Sequence, residues 1–176
     1  MVTPPPGTGP AVVLVGPPGA GKTTTGAALA ELWGVPLLDT DRAVEQSQGR
    51  SVADIFIEQG EEAFRRLERA AVLDALAQHR GVLALGGGAV LDPEVQAALA
   101  GHRVVFLDVG IADAAKRVGF DRSRPLLAVN PRAQWVRLME ARRPTYERLA
   151  TARVDTAGRS PDEVAAEIVQ RVGGAQ

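Results

Sequence analysis

The 176-residue sequence has no cysteine, few aromatic residues and no long apolar run. The absence of cysteine excludes disulfide bonds and thiolate metal sites, so hydrophobic burial has to stabilise the core. No stretch approaches the roughly 18 to 20 apolar residues that cross a bilayer, and the start, MVTPPPGTGP, lacks the basic and apolar segments of a signal peptide. We therefore expect a cytoplasmic protein that binds no membrane.

The sequence also lacks a large net charge, because 20 basic and 21 acidic side chains give −1. A general nucleic-acid binder carries a basic field, so that class of protein is disfavoured. The balance is uneven, since residues 115–150 contain nine Lys or Arg and three acidic residues, a local charge of +6. This segment is either a salt-bridged helical surface or a segment that closes over a polyanion, and charge alone does not decide.

Length and a hydrophobic content of 45% fit one compact domain. The Pro/Gly-rich residues 1–10 predict a flexible N-terminal tail, because they contain nothing to bury. We expect the domain to span residues 11–172 and a short C-terminal tail to span 173–176.

Short apolar runs predict strands, and helical patterns separate them. The runs lie at residues 11–15, 35–38, 82–85, 103–107 and 152–154. Helix-start patterns occur at Ser51, Asp92 and Ser160. Apolar residues that recur every three or four positions in 61–80 predict a helix whose buried stripe is Ala63, Leu67, Ala70, Leu73 and Ala77. Continuous apolar strands between helices indicate a parallel sheet covered on both faces, a three-layer α/β sandwich that binds ligands beyond the carboxyl ends of its strands.

A phosphate-binding motif follows the first predicted strand. Residues 16–23, GPPGAGKT, fit the pattern G-x-x-x-x-G-K-[ST] and lead into a helix. The loop's N–H groups can bind phosphate oxygens, Lys22 can bind the β- and γ-phosphates, and Thr23 offers a hydroxyl to Mg²⁺. A plain turn between strand and helix would need neither side chain. The motif therefore predicts nucleoside triphosphate binding, but it does not identify the phosphate acceptor.

Polar or glycine-rich segments follow two other predicted strands. Asp39 and Asp41 are two residues apart on an extended chain, so both carboxylates can face one site and bind or deprotonate a substrate hydroxyl. The alternative is a helix N-cap and a solvated acid. Gly86–Gly88 indicate close approach of a ligand to the main chain, with a strained bend as the alternative.

Two arginine pairs lie farther along the chain, at Arg65-Arg66 and at Arg142-Arg143. Most arginines are surface residues. Two guanidinium groups that converge would nevertheless suit the carboxylate of a small acid.

The ordered set of motifs resembles the shikimate kinases, P-loop enzymes related in fold to nucleoside monophosphate kinases. The likeness rests on GPPGAGKT (16–23), LLDTD (37–41), Phe64-Arg65, LGGGAV (85–90), RPLL (124–127), RRPTY (142–146) and RVDT (153–156). It implies a five-stranded parallel sheet, a substrate-binding region at about 40–68 and a lid at about 119–131. It also implies ATP-dependent phosphorylation of shikimate to shikimate 3-phosphate, with Mg²⁺, in aromatic amino acid (chorismate) biosynthesis.

The resemblance implies a role for each matching residue. Lys22, Asp39 and Arg124 match catalytic positions, and Thr23 and Asp39 match positions near the metal. The acid would be bound by Asp41, Arg65, Gly86, Gly87, Gly88 and Arg142. ATP would be bound by Gly19, Ala20, Gly21, Lys22, Thr23, Thr24, Arg117, Arg124 and Arg159. Arg66 and Arg143 are interpreted as structural or surface residues.

We weigh three other functions on the residues alone. Another small-metabolite kinase, such as a gluconate kinase, would share the phosphate-binding loop and the lid. A regulatory GTPase is suggested by the D-x-x-G pattern at 155–158, but that pattern lies late in the chain and no N-K-x-D occurs. A catalytically silent nucleotide-binding module is disfavoured by the intact Lys22, Thr23, Asp39 and Arg124. We expect a monomer whose partners are ATP and shikimate.

Overall fold

The computed structural model describes residues 2–118 and 130–173. Five strands in these ranges form one parallel sheet in the spatial order β2-β3-β1-β4-β5. The strands are β1 (Val12–Val15), β2 (Leu37–Asp39), β3 (Val82–Ala84), β4 (Val104–Asp108) and β5 (Ala152–Asp155). Each predicted apolar run overlaps one strand, and the predicted α/β sandwich is confirmed.

The central strand, β1, lies between β3 and β4. Val13 pairs with Leu83 on one side and with Val104 on the other, and all three residues are fully buried. Strands buried on both faces need apolar residues at every position, which is why the runs show no alternation. The chain order reverses at β1, so a crevice is expected at its carboxyl end.

Helices connect the strands and cover the sheet. In the described ranges they are α1 (Lys22–Trp33), α2 (Thr40–Gln48), α3 (Val52–Gln59), α4 (Glu61–Gln78), α5 (Pro93–Leu99), α6 (Ile111–Val118), α7 (Pro131–Leu149) and α8 (Pro161–Gly173). Helix α1 packs against α8, and α4 packs against α5. None of these helices is long and apolar enough to span a membrane.

The predicted helix starts are confirmed. The side chains of Ser51 and Asp92 accept hydrogen bonds from the first-turn N–H groups of α3 and α5. At the start of α8, the Ser160 N–H donates to the Glu163 carboxylate over 2.8 Å, and the Glu163 N–H donates to the Ser160 hydroxyl over 3.2 Å. These caps satisfy backbone donors that a helix cannot satisfy itself.

The predicted buried stripe of helix α4 is wrong. Ala70 and Ala77, which belong to that stripe, are exposed. The buried residues of α4 are Phe64, Glu68, Val72, Ala75 and Leu76. The buried face includes a carboxylate, so a pattern that counts only apolar residues selects positions next to the true stripe.

A second, smaller core lies apart from the main one. Val44 of α2, Ile55 of α3 and Phe64 of α4 form it, and all three lie within residues 40–68. The predicted lid at about 119–131, with Arg124, lies outside the described residues except for its last two positions. Residues 2–10 form neither helix nor strand, although the Pro6 carbonyl accepts a hydrogen bond from Arg103. The proposed tail and domain boundaries stay predictions.

Candidate active site

A cavity of about 710 Å³ lies at the carboxyl ends of the central strands. The phosphate-binding loop and the start of α1 form one wall. Asp39 ends β2, Asp41 lies in the first turn of α2, and Leu85 and Gly87 follow β3. The cavity thus opens at the edge of the sheet where chain topology places ligands.

The glycines of the phosphate-binding loop are required by its geometry. Gly19 and Gly21 have φ angles of 83° and 85°, which residues other than glycine rarely adopt. A Cβ on Gly16 would lie 2.5 Å from the carbonyl oxygen of Leu107. The glycines therefore allow the tight turn that brings the loop to the start of α1, where a helix favours anions.

Lys22 lies over the phosphate-binding loop that precedes it. Its Nζ donates to the carbonyl oxygens of Gly16 over 2.7 Å and of Pro17 over 3.0 Å. The ammonium group is therefore held inside the cavity beside the loop. Thr23 and Thr24 follow Lys22 in the first turn of α1, and both line the cavity.

Asp39 uses its two carboxylate oxygens in different ways. Oδ1 accepts from the N–H groups of Asp41 over 3.0 Å and Arg42 over 3.3 Å, and so caps α2. Oδ2 accepts from the Thr23 hydroxyl over 2.5 Å. The N-cap alternative is therefore correct for one oxygen, while the other lies at the phosphate-binding loop.

The paired oxygens of Thr23 and Asp39 fit Mg²⁺, which prefers hard oxygen ligands. Among residues 2–118 and 130–173, no group of three or more His, Cys, Asp or Glu side chains could hold a metal ion alone. Beside nucleotides, Mg²⁺ binds through one or two protein oxygens together with phosphates and water.

Charged side chains converge on the glycine loop, Gly86–Gly88. A Cβ on Gly86 would lie 2.6 Å from Asp41 Oδ1 and 2.7 Å from Glu68 Oε2, and a Cβ on Gly88 would lie 2.5 Å from Arg65 Nη1. None of the three glycines has a positive φ. They are needed for space, so the strained-bend alternative has no support.

Arg142 reaches the same loop from helix α7. Its Nη1 would lie 3.2 Å from a Cβ on Gly87, and the residue is only 4% exposed. Its Nε is buried and has no hydrogen-bond partner within the described part of the chain. A buried donor without an acceptor calls for an explanation, and a bound anion would provide one. We name the region formed by Asp41, Arg65, Glu68, Arg142 and the glycine loop the acid pocket.

Sequence reasoning missed Glu68. The residue is 3% exposed and accepts from Arg65 Nη1 over 2.8 Å. Burial raises the pKa of the Glu68 carboxyl above its ordinary range, and Arg65 opposes part of that rise. Its position three residues after Arg65 was the available signal, because side chains at i and i+3 meet on a helix.

Arg117 and Arg159 lie on the opposite side of the cavity. Arg117 donates to the Thr156 hydroxyl over 2.9 Å, to the Thr156 carbonyl over 2.6 Å and to the Gly19 carbonyl over 3.1 Å. Arg159 pairs with Glu167 over 2.6 Å. Arg117 thus connects the phosphate-binding loop to the segment after β5, and Arg159 lies in that segment, where the resemblance places the adenine.

Arg143 and Arg66 have structural and surface positions, as predicted. Arg143 binds both carboxylate oxygens of Asp108, each over 2.9 Å, and Arg153 binds the same carboxylate. Burial alone would raise the pKa of Asp108, but the two arginines outweigh it and hold the pKa below its ordinary value. Arg66 pairs with Glu62 on the exposed side of α4.

Two further side chains of α7 contact the loops of the cavity. The indole N–H of Trp135 donates to the Pro18 carbonyl over 2.8 Å, and the hydroxyl of Tyr146 donates to the Gly87 carbonyl over 2.6 Å. Sequence reasoning assigned neither contact. Tyr146 lies within the RRPTY segment, whereas Trp135 lies in no motif.

A family model and the similar curated relatives indicate the same family. A family model described as shikimate kinase matches residues 18–173. A shikimate kinase of Frankia casuarinae is 61% identical over 87% of this chain and 68% of that protein. One of Thermobifida fusca is 58% identical over 92% and 94%. The structure of shikimate kinase from Acinetobacter baumannii in complex with shikimate matches with a TM-score of 0.91 at 34% identity, covering 94% of this chain and 93% of that chain.

Proposed function

Because the chain belongs to the shikimate kinase family, we propose that it transfers the γ-phosphoryl group of ATP to the 3-hydroxyl of shikimate. The products are shikimate 3-phosphate and ADP. The observation that supports this acceptor is the convergence of Arg65 and Arg142 on the glycine loop, beside the phosphate-binding loop. The family match does not favour gluconate or a regulatory GTPase cycle.

The phosphate-binding loop holds the triphosphate. Its N–H groups and Lys22 bind the phosphate oxygens, and Arg117 and Arg159 lie at the adenine. Phosphoryl transfer passes through a loose transition state with charge on the peripheral oxygens, so positioning and cations supply most of the catalysis. Arg124, outside the described residues, is proposed as a further cation on the transferred group.

Thr23 and Asp39 would hold Mg²⁺, which would neutralise charge on the β- and γ-phosphates when bound. Asp39 is also the carboxylate proposed to accept the proton of the 3-hydroxyl as that oxygen bonds to phosphorus and the bond to the ADP oxygen breaks. A strong base is not required, because the hydroxyl becomes acidic only late in a loose transition state.

The acid pocket holds shikimate. Arg65 and Arg142 bind the carboxylate together with the N–H groups of the glycine loop, and Asp41 accepts from ring hydroxyls. Residues 40–68 form the acceptor-binding unit, an assignment supported by their small separate core. Closure of a lid at about 119–131 excludes water and suppresses ATP hydrolysis. The monomeric state and the cytoplasmic location stay predictions.

The test is the rate of nucleoside diphosphate release. ADP release is measured from ATP with no acceptor, with shikimate and with gluconate, and GDP release is measured from GTP with shikimate. We expect rapid release only with ATP and shikimate. Release with gluconate and not with shikimate would contradict shikimate as the acceptor, and a preference for GTP would contradict ATP as the donor.

A further inference from the structure

Helix α7 forms hydrogen bonds to both loops of the cavity. Trp135 contacts the phosphate-binding loop at Pro18, and Tyr146 contacts the glycine loop at Gly87. The two side chains are eleven positions apart, which corresponds to about 16 Å along a helix. One continuous helix, which includes Pro144 between the two side chains, thus contacts the donor side and the acceptor side of the proposed reaction.

Both contacts are well suited to hold a loop. Each joins a side chain to a main-chain carbonyl, so each acts on the loop's backbone. Trp135 is 3% exposed and Tyr146 is fully buried, and the Tyr146 ring stacks on Phe106 with centroids 5.1 Å apart. Burial raises the pKa of Tyr146 to about 12, so its hydroxyl stays a hydrogen-bond donor at ordinary assay pH. Neither side chain can turn away without leaving a buried donor unpaired.

The same helix also supplies a ligand of the acid pocket. Arg142 lies on α7 between Trp135 and Tyr146, and its buried Nε has no partner within the described residues. A change in the position of α7 would therefore move Arg142, the glycine loop and the phosphate-binding loop together. In-line transfer depends on such positions, since a displacement of about 1 Å can cost 100-fold in rate.

We propose that Trp135 and Tyr146 are positioning residues that fix the two loops to helix α7, so that binding of nucleotide at one loop strengthens binding of the acid at the other. The proposal rests on the proposed function, because it takes shikimate as the acid. Coupling of this kind is reciprocal, so ATP and shikimate must raise each other's affinity by the same factor.

The chain offers a matched control, because it contains two tryptophans. Trp33, at the end of α1, is 3% exposed like Trp135, but its Nε1 has no hydrogen-bond partner among residues 2–118 and 130–173. Trp135→Phe removes an indole N–H that binds a loop. Trp33→Phe removes the same group from an equally buried site far from that contact.

Isothermal titration calorimetry with a non-hydrolysable ATP analogue, with and without saturating shikimate, measures the nucleotide affinity and its ratio between the two conditions. We expect Trp135→Phe to weaken the nucleotide about threefold to tenfold and to bring the ratio towards one. Trp33→Phe should change neither quantity. Tyr146→Phe should weaken shikimate and reduce the same ratio, which gives a second test if Trp135→Phe folds poorly.

A ratio of one in the unmodified enzyme, or equal affinities and ratios for the Trp135 and Trp33 variants, would overturn the inference. A loss of thermal stability without a change in the ratio would also overturn it, since that outcome marks a purely structural contact. Failure of the proposed function looks different: the unmodified protein would not phosphorylate shikimate. The nucleotide titration of the two variants would still decide whether Trp135 holds the phosphate-binding loop.

Discussion

The phosphate-binding loop and the acid pocket adjoin each other at one edge of the sheet, yet they are built in opposite ways. The loop is a contiguous segment, residues 16–23, that offers mainly backbone N–H groups and one ammonium group. The acid pocket draws charged side chains from α2, α4 and α7, which are far apart in the chain. Two of these charges are buried, with Glu68 3% and Arg142 4% exposed.

The difference follows from the two ligands. Every triphosphate presents the same oxygens, so a backbone nest of fixed shape can bind it. A small hydroxy acid has to be distinguished from similar acids, which requires directional charged groups held in a desolvated site. We therefore expect substitutions in the loop to affect turnover, and substitutions of the pocket arginines mainly to weaken binding of the acid.

The largest effect is expected for Lys22→Met. Loss of the ammonium group should lower kcat on the order of a thousandfold, because it removes charge stabilisation of the transferred group. The control is Lys116→Met, since Lys116 is the other lysine and is exposed on α6. Steady-state kinetics and thermal melting of both variants check this. Near-normal turnover in Lys22→Met with an intact fold would show that the loop does not act as proposed.

Arg142→Ala and Arg65→Ala test the acid pocket. Each should weaken shikimate by about 2 to 3 kcal/mol, roughly 30- to 150-fold in KM, because each removes a partner of a desolvated carboxylate. The KM for ATP should change little. Arg66→Ala, on the exposed side of the same helix as Arg65, is the control. An unchanged shikimate KM in both pocket variants would remove the basis for the acid pocket.

Gly88→Ala tests whether the absence of a side chain in the glycine loop leaves the space that Arg65 occupies. The new Cβ would lie 2.5 Å from the Arg65 guanidinium, a flexible group that can move aside and so leave the fold intact. We expect the shikimate KM to rise about tenfold through displacement of Arg65. Gly110→Ala is the control, because a Cβ there has nothing within 4 Å. Equal kinetics for the two variants would contradict this account of the loop.

The smallest effect is a pH dependence of stability in the acid pocket. Burial raises the pKa of Glu68, so the folded state holds that proton more tightly than the unfolded state does. The free energy of unfolding should therefore fall as pH rises from the ordinary glutamate pKa through the raised one. Glu68→Gln removes this decline, so its melting temperature should gain on that of the unmodified protein as pH rises through this window.

Glu62→Gln, an exposed change on the same helix, is the control for the pH experiment. Melting temperatures measured between about pH 4 and pH 8 give the comparison. A constant difference between the Glu68 variant and the unmodified protein across this range would contradict the assignment of a raised pKa to Glu68.

The two regions also differ in how far the sequence predicts them. The phosphate-binding loop is predictable because its residues are adjacent, and the central strands are predictable because burial on both faces leaves an uninterrupted apolar run. The acid pocket could be predicted only through the family's motif order. Chain separation does not show that Arg65 and Arg142, 77 positions apart, reach the same three glycines.

Other features depend on tertiary contacts that no local pattern encodes. Glu68 lies on the buried face of α4, so a prediction from apolar residues alone placed the buried stripe of this helix wrongly. A charged residue can be predicted as buried only when its ion-pair partner is known to be near. Trp135 and Tyr146 contact main-chain carbonyls, and a carbonyl carries no sequence signal. The predicted roles of Arg117 and Arg159 rest on the family resemblance, and only the folded structure shows which groups the two side chains contact.

Asp39 links secondary structure to chemistry through a single side chain. One of its carboxylate oxygens caps the start of α2, and the other accepts a hydrogen bond from the Thr23 hydroxyl in the first turn of α1. The two helices that leave the sheet toward ATP and toward the acid therefore share one anchor point. Asp39→Ala would remove the cap of α2 and the contact with α1 together. Asp39→Asn would keep an oxygen that can cap the start of α2 and would remove the negative charge.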